Sequence, residues 1–240
     1  MEELADRLGV SGMTIRRDLQ ALVEKGKLIR THGGAAMGER ISFEFDFLRK
    51  INEYREAKEA IAVVAADLVR DARAIMLDAS TTTLAIAQHL HGLKGLTVVT
   101  TSLPAAAELQ YDPDIEVLLT GGYVRPGLPD LNGPITEVNL NMLRADIAFL
   151  GTDGVDEFGA VYSHPPDSTH MLVKMADSAK EVYIVADHSK LGVTALRRFG
   201  RLREWTGLIT DDGADPEFIN TLRENKINVI VAPTKRTAKV

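Results

Sequence analysis

The chain has 240 residues, 45% of them hydrophobic, enough for one large domain or a small one beside a medium one. It contains no cysteine, which excludes disulfides, thiolate metal sites and cysteine nucleophiles and fits a reducing compartment. No apolar run approaches the roughly 20 residues of a membrane span. The amino end is charged and helical in pattern rather than signal-like. A cytoplasmic protein without a membrane partner is therefore expected.

The net charge of −6 is unevenly spread. Residues 1–36 hold six Lys/Arg against five Asp/Glu, a balance of +1, which leaves −7 for residues 37–240. Between Ser11 and Thr31 five bases face two acids. A small, locally basic unit on an acidic body points to nucleic-acid contact by the first part and another task for the second.

Met1 to Leu8 has helical periodicity, with Leu4, Ala5 and Leu8 on one face. Gly9-Val10 makes a turn. Ser11 is an N-cap candidate for a second helix running from Gly12 to about Lys25. Ile15, Asp18, Leu19 and Leu22 share one face of it. Thr14, Arg16, Arg17 and Gln20 lie on others. Leu28 to Thr31 reads as a short strand and His32-Gly33-Gly34 as a tight turn. Two short helices, a strand and a glycine turn describe a helix-turn-helix with a wing, whose second helix enters the major groove. Arginine suits that place because its fork pairs with guanine or holds phosphates. The alternative is a helical hairpin with a solvated basic face.

The run VSGMTIRRDLQALVEKGKLIRTHGGA resembles the amino-terminal signature of DeoR-type bacterial transcriptional regulators. Ser11, Thr14, Ile15, Arg16, Arg17, Asp18, Leu19, Gly26, Arg30, His32, Gly33, Gly34 and Ala35 carry the match. The resemblance implies operator DNA as a partner, contacted through Ser11, Thr14, Arg16, Arg17, Arg30 and His32. Family members carry a further helix before the position of Met1. The apolar side formed by Leu4, Leu8, Ile15, Leu19, Leu22, Leu28 and Ile29 is therefore expected to be incompletely covered, with the DNA-reading unit impaired. Reading DNA as a symmetric pair also predicts a homo-oligomer.

Met37 to Ser42 reads as a hinge, and Phe43 to Arg70 as a long helical pattern broken near Asn52. Ala57, Ile61, Val64, Ala65 and Leu68 form its apolar stripe. The charged segment Arg49 to Lys58 is expected to face solvent or a partner subunit.

From Ala74 onward strands and helices alternate. Strands are predicted at 75–77, 97–100, 116–119, 147–150, 182–186, 207–210 and 228–231, and helices at 82–90, 103–109, 134–143, 168–178 and 216–224. Such alternation gives an α/β fold, a mostly parallel sheet with helices on both faces. The domain plan is a partial winged helix-turn-helix at 1–36, a linker and linking helix at 37–56, an effector domain at 57–232 and a loose tail at 233–240.

Polar clusters recur just after strand ends: Asp78-Ala79-Ser80-Thr81-Thr82-Thr83, Thr100-Thr101-Ser102, Gly121-Gly122, Gly151-Thr152-Asp153-Gly154 and Asp187-His188-Ser189-Lys190. In an open parallel sheet these loops converge on one edge. There they offer N–H donors, hydroxyls, carboxylates for sugar hydroxyls and a lysine for a phosphate. The hydroxyls of Ser80 to Thr83 at a helix start form an anion site by chemistry, or serve as caps alone.

The DASTTT, TTS, GG, FLGTDGVD and DHSK runs also resemble the DeoR effector domain, which is similar in fold to ribose-5-phosphate isomerase. Ser80 stands where that family often has Gly, and Thr101 where it often has Asn. The resemblance implies a pocket for a phosphorylated sugar, without turnover, lined by Asp78, Ser80, Thr81, Thr82, Thr83, Thr101, Ser102, Gly121, Gly122, Gly151, Asp153, Gly154, Asp187 and Lys190. No cofactor and no catalytic residue are implied. An isomerase-like enzyme, with Asp78 or Asp153 as base, and an effector sensor without DNA binding are the alternatives. Metal binding has little support, since His164 and His170 flank prolines and His89 and His91 lie on different faces of a helix end.

Overall fold

A computed structural model describes residues 5, 7–24, 29–31, 34–36, 47–125, 128–164 and 166–234, with the side chains of 22–24, 29–31, 34–36 and 166–168 set aside. His32, the hinge at 37–42, residues 43–46 and most of the predicted tail lie outside the described residues. Contacts divide the chain into two units, Met1–Lys50 with Pro126–Leu128, and Ile51–Arg125 with Pro129–Val240.

In the first unit residues 5, 7 and 8 are helical, and Gly9 turns the chain with φ 63°. Helix α1 follows, Gly12–Glu24. Ser11 caps it, as its spacing predicts: Ser11 Oγ accepts from the Thr14 N–H at 3.1 Å. Ile15 is buried and Leu19 half-buried, whereas Thr14, Arg16, Arg17 and Gln20 are exposed. Leu8, on the apolar side expected to be incompletely covered, is 64% exposed. Strands β1 (Ile29–Thr31) and β2 (Gly34–Ala36) pair antiparallel, Ile29 opposite Ala36, as a wing does.

A helical segment over 47–52 runs from the end of the first unit into the second and breaks at Tyr54, whose φ of 50° is left-handed. Helix α2 (Arg55–Leu68) then runs into a seven-stranded sheet. Its strands are β3 (Ala74–Leu77), β4 (Leu96–Thr100), β5 (Ile115–Leu119), β8 (Ala145–Gly151), β11 (Ala179–Val185), β13 (Gly207–Asp211) and β14 (Val229–Ala232). Every neighbouring pair is parallel, in the order β14-β13-β11-β8-β3-β4-β5. Helices α3 (Thr81–Gln88), α4 (Leu103–Leu109), α5 (Pro134–Met142), α6 (Pro166–Asp177) and α7 (Pro216–Glu224) connect them.

Residue alternation assigns the two faces. Ile75, Leu77, Ile147, Phe149, Tyr183 and Val185 pack with Ile61 of α2, Ile86 of α3 and Leu109 of α4. Met76, Ala148, Leu150, Val182 and Ile184 pack on the other side with Leu140 of α5, Met175 of α6 and Leu222 of α7. Because both faces are covered, these strands read in the sequence as continuous apolar runs. Burying a side chain such as Phe149, Ile61 or Ile86 fully contributes about 1.5–3 kcal/mol.

Two small additions escaped the sequence pattern. Strands β6 (Tyr123–Val124) and β7 (Leu131–Asn132) form a hairpin, and β9 (Gly154–Val155), β10 (Ala160–Ser163) and β12 (Arg197–Arg201) form a second sheet in the order β12-β10-β9. Strands β6, β7 and β9, of two residues each, carry too few alternations to show a period.

Candidate functional site

Strand β3 has β4 on one side and β8 on the other. From β4 the chain steps outward to β5; from β8 it steps the opposite way, to β11, β13 and β14. This reversal opens a crevice at the carboxyl ends of β3 and β8, where ligands of open α/β sheets bind. Asp78 follows β3 and Gly151 ends β8, and the two loops touch: the Gly151 N–H donates to Asp78 Oδ2 at 3.0 Å. Only glycine fits there. A Cβ on Gly151 would lie 2.4 Å from both Cβ and Oγ of Ser80.

The 78–83 turn is built from its own polar groups. Ser80 caps α3, its Oγ accepting from the Thr83 N–H at 3.2 Å. Asp78 Oδ1 accepts from the Ser80 N–H at 3.1 Å and from Thr83 Oγ1 at 2.8 Å. Burial pushes the Asp78 carboxyl above its usual pKa, while the donors from Ser80, Thr83 and Gly151 pull the other way. The turn occupies its Oδ1 and Gly151 its Oδ2, and Thr83 is fully buried. Asp78, Ser80 and Thr83 therefore set the shape of the loop. Thr81 and Thr82 stand at the first two positions of α3. The cap uses the N–H groups of Thr83 and Leu84, leaving those of Thr81 and Thr82 as first-turn donors.

Lys58 corrects the expectation of a solvated or partner-facing segment from Arg49 to Lys58. It is only 4% exposed. Its Nζ donates to the Ile51 carbonyl at 3.3 Å and to Thr81 Oγ1 at 3.5 Å. A lysine beside a helix start sets a cation against the positive end of the helix dipole, and both charges favour an anion there. The available signal was that Lys58, Ile61, Ala62 and Ala65 follow helical spacing, which puts the lysine on the inward stripe.

The remaining predicted residues all follow strand carboxyl ends and differ in what they are free to do. Ser102 is fully buried and caps α4, accepting from the Ala105 N–H at 3.2 Å. Thr101 is 4% exposed. Gly121 and Gly122 have φ of 70° and 117° and lie beyond β5, two strands from β3 and so about 10 Å to the side. Asp153 accepts from the His164 N–H at 3.0 Å and from Ser163 Oγ at 3.2 Å. Gly154 faces the Val193 carbonyl, which a Cβ would meet at 2.3 Å. Asp187 is buried and caps the short turn His188–Lys190, accepting from the Ser189 N–H at 3.0 Å. Lys190 is half-buried on that turn. Next to it, the His188 ring and the buried Asp211 carboxylate are paired at 2.7 Å. Asp211, at the end of β13, carries no signal of its own in the sequence, because an Asp-Asp-Gly run after a strand reads as a turn.

On the first unit Arg16 and Arg17 are exposed on α1, and Ser11 and Thr14 are joined by the cap, their hydroxyl oxygens 2.9 Å apart. The Arg30 side chain and His32 lie outside the described residues. Among the described residues no three His, Asp or Glu side chains are placed to hold a metal ion.

The sensor-domain model of the DeoR regulators, the DeoR C terminal sensor domain, matches residues 53–212, and the DeoR-like helix-turn-helix domain matches residues 1–40. This chain belongs to the DeoR family. Among its relatives, the uncharacterized HTH-type transcriptional regulator YulB of Bacillus subtilis is 33% identical over 98% of this chain and 91% of its own length. The HTH-type transcriptional repressor GlcR of the same organism is 34% identical over 96% and 88%. The glycerol-3-phosphate regulon repressor of Haemophilus influenzae is 30% identical over 98% and 91%. The DeoR chain described here is thus a DNA-binding transcriptional regulator with a sensor domain, and not an enzyme. Ribose 5-phosphate isomerase A of Methanocaldococcus jannaschii overlays 56% of it, at 21% identity and a TM-score of 0.42, and the overlay covers 53% of the isomerase. An overlap of that size assigns no activity. No helix among the described residues is long and apolar enough to cross a membrane.

Proposed function

We propose that this DeoR regulator is a repressor of carbohydrate metabolism whose hold on operator DNA is controlled by a phosphorylated sugar bound at the β3/β8 crevice. The observation that carries this reading is the buried Lys58 ammonium 3.5 Å from Thr81 Oγ1, at the start of α3. The phosphate takes the Thr81 and Thr82 N–H groups and hydroxyls, with Lys58 beside them. Asp78, Ser80, Thr83 and Gly151 hold that loop. Thr101, Ser102, Gly121, Gly122, Asp153 and Gly154 shape the sugar side, and Asp187 positions Lys190 at the rim. Two relatives, one named a transcriptional repressor and the other a glycerol-3-phosphate regulon repressor, support the reading.

The DNA-reading unit is residues 1–36, with Ser11, Thr14, Arg16, Arg17, Arg30 and His32 on the operator. Residues 37–56 link it to the effector domain at 57–232, and 233–240 is a tail. The protein works in the cytoplasm as a homo-oligomer. Calorimetry with matched pairs of sugars and sugar phosphates tests the ligand class. Phosphate esters are expected to bind and the free sugars to bind far more weakly. Thr81→Val and Thr82→Val should each cost about 1–3 kcal/mol, as hydrogen bonds to charged groups do, and Lys58→Met more than tenfold in affinity. Equal binding of esters and free sugars, or esters indifferent to all three changes, overturns the site.

A further inference from the structure

Helix α5 is apolar on two opposite sides. Thr136 and Leu140 are fully buried against the fold. Turned away from them, Ile135, Val138 and Met142 are 54%, 57% and 78% exposed. Their spacing of three and four residues sets them in one line along the helix. Tyr123, 67% exposed on the β6–β7 hairpin, extends the line: a Cβ on Gly133, two residues before Ile135, would lie 2.8 Å from its ring. A surface helix ordinarily carries charged or polar residues on its outer face. The acid on this helix, Glu137, is paired with His170 at 3.2 Å.

We propose that α5, with Tyr123 beside it, is the face through which two copies of this chain pair about a twofold axis. This gives a surface to the homo-oligomer proposed above. The four side chains expose roughly 500 Å², near the upper range of apolar patches on monomers. A standard interface takes ~800 Å² from each partner with about 60% of it apolar, which requires roughly that amount. A second copy is the occupant because the stripe is self-complementary. Antiparallel packing of α5 on its copy sets Ile135 against Met142 and Val138 against Val138, as an isologous contact requires. The line itself carries no charge, so self-pairing brings no like charges together.

Sedimentation of the full chain, without DNA or sugar phosphate, tests this apart from the effector reading. The wild type is expected at the mass of two chains or a multiple of two, and Val138→Glu at the mass of one, with its circular dichroism spectrum kept. Because the chain has no cysteine, Val138→Cys supplies a second measurement that does not depend on the glutamate variant folding. It should form a disulfide-linked pair on mild oxidation, while Tyr111→Cys, 86% exposed elsewhere, should not. A wild type of single-chain mass overturns the proposal. So does an assembly that Val138→Glu leaves intact, or one that Val138→Cys fails to link.

Discussion

Gly151→Ala isolates the contact on which the effector loop depends. The backbone at this glycine is not in the left-handed region, so alanine adds a methyl group and no conformational strain. That methyl would sit 2.4 Å from Ser80 Cβ and Oγ and 3.3 Å from Asp78 Oδ2. Either β8 moves away from β3, where both are buried in the core, or Ser80 leaves its capping position on α3. Overpacking of this kind costs about 1–3 kcal/mol. For a chain of this size that lowers the unfolding temperature by roughly 2–4 °C per kcal/mol. Loss of the Ser80 cap would also displace the Thr81 and Thr82 donors, so sugar-phosphate affinity should fall by more than the stability change implies. Ser80→Gly in the same chain removes the obstructing Cβ and Oγ. Glycine is itself a fair N-cap, within a few tenths of a kcal/mol of serine. The double variant should therefore recover most of what Gly151→Ala loses, giving a favourable coupling energy. The assays are thermal unfolding of the four chains of this cycle and calorimetry with the phosphate ester that binds the wild type. A Gly151→Ala chain that unfolds and binds like the wild type would refute the reasoning. So would a double variant no better than the single.

Three further outcomes follow from particular contacts. Asp78→Asn must turn an amide N–H₂ toward either the Gly151 N–H or the donors from Ser80 and Thr83; urea unfolding should show a loss of about 1–3 kcal/mol, and an unchanged midpoint would contradict it. The Asp146 carboxyl is held down to about 2 by Lys180 and by the N–H groups of Arg73 and Ala74. Its folded pKa lies below the unfolded value of about 3.9, so the stability it lends is present above about pH 4 and lost as pH falls toward 2. Asp146→Ala should cost about 1 kcal/mol at neutral pH and flatten the acid limb of a stability–pH curve; a limb of unaltered slope counts against the assignment. Arg16→Ala and Arg17→Ala should weaken operator binding, and for a phosphate contact the slope of affinity against salt falls by about one; titrations at several salt concentrations that show neither change would remove α1 from the DNA contact.

What the sequence determined was local periodicity and punctuation. Helices α4 and α7 begin and end at the residues that pattern predicts, because Pro104 and Pro216 lie in their first turns and Ser102 and Asp215 cap them. All seven strands of the parallel sheet were legible, since a strand covered on both sides must be apolar throughout. The five polar clusters were legible too, because loops at strand ends concentrate capping and turn residues. Only the tertiary structure decided which clusters meet. The reversal in strand order turns on one pairing between residues more than seventy positions apart, Ile75 with Ile147, and nothing local encodes it. That order places Asp78 against Gly151 and carries Gly121 and Gly122 two strands away. Lys58 shows the same division. In the sequence it is one charge in a charged helix, and only packing of α2 against α3 brings it to Thr81, because burial is fixed by what lies opposite a residue and not by the residue itself.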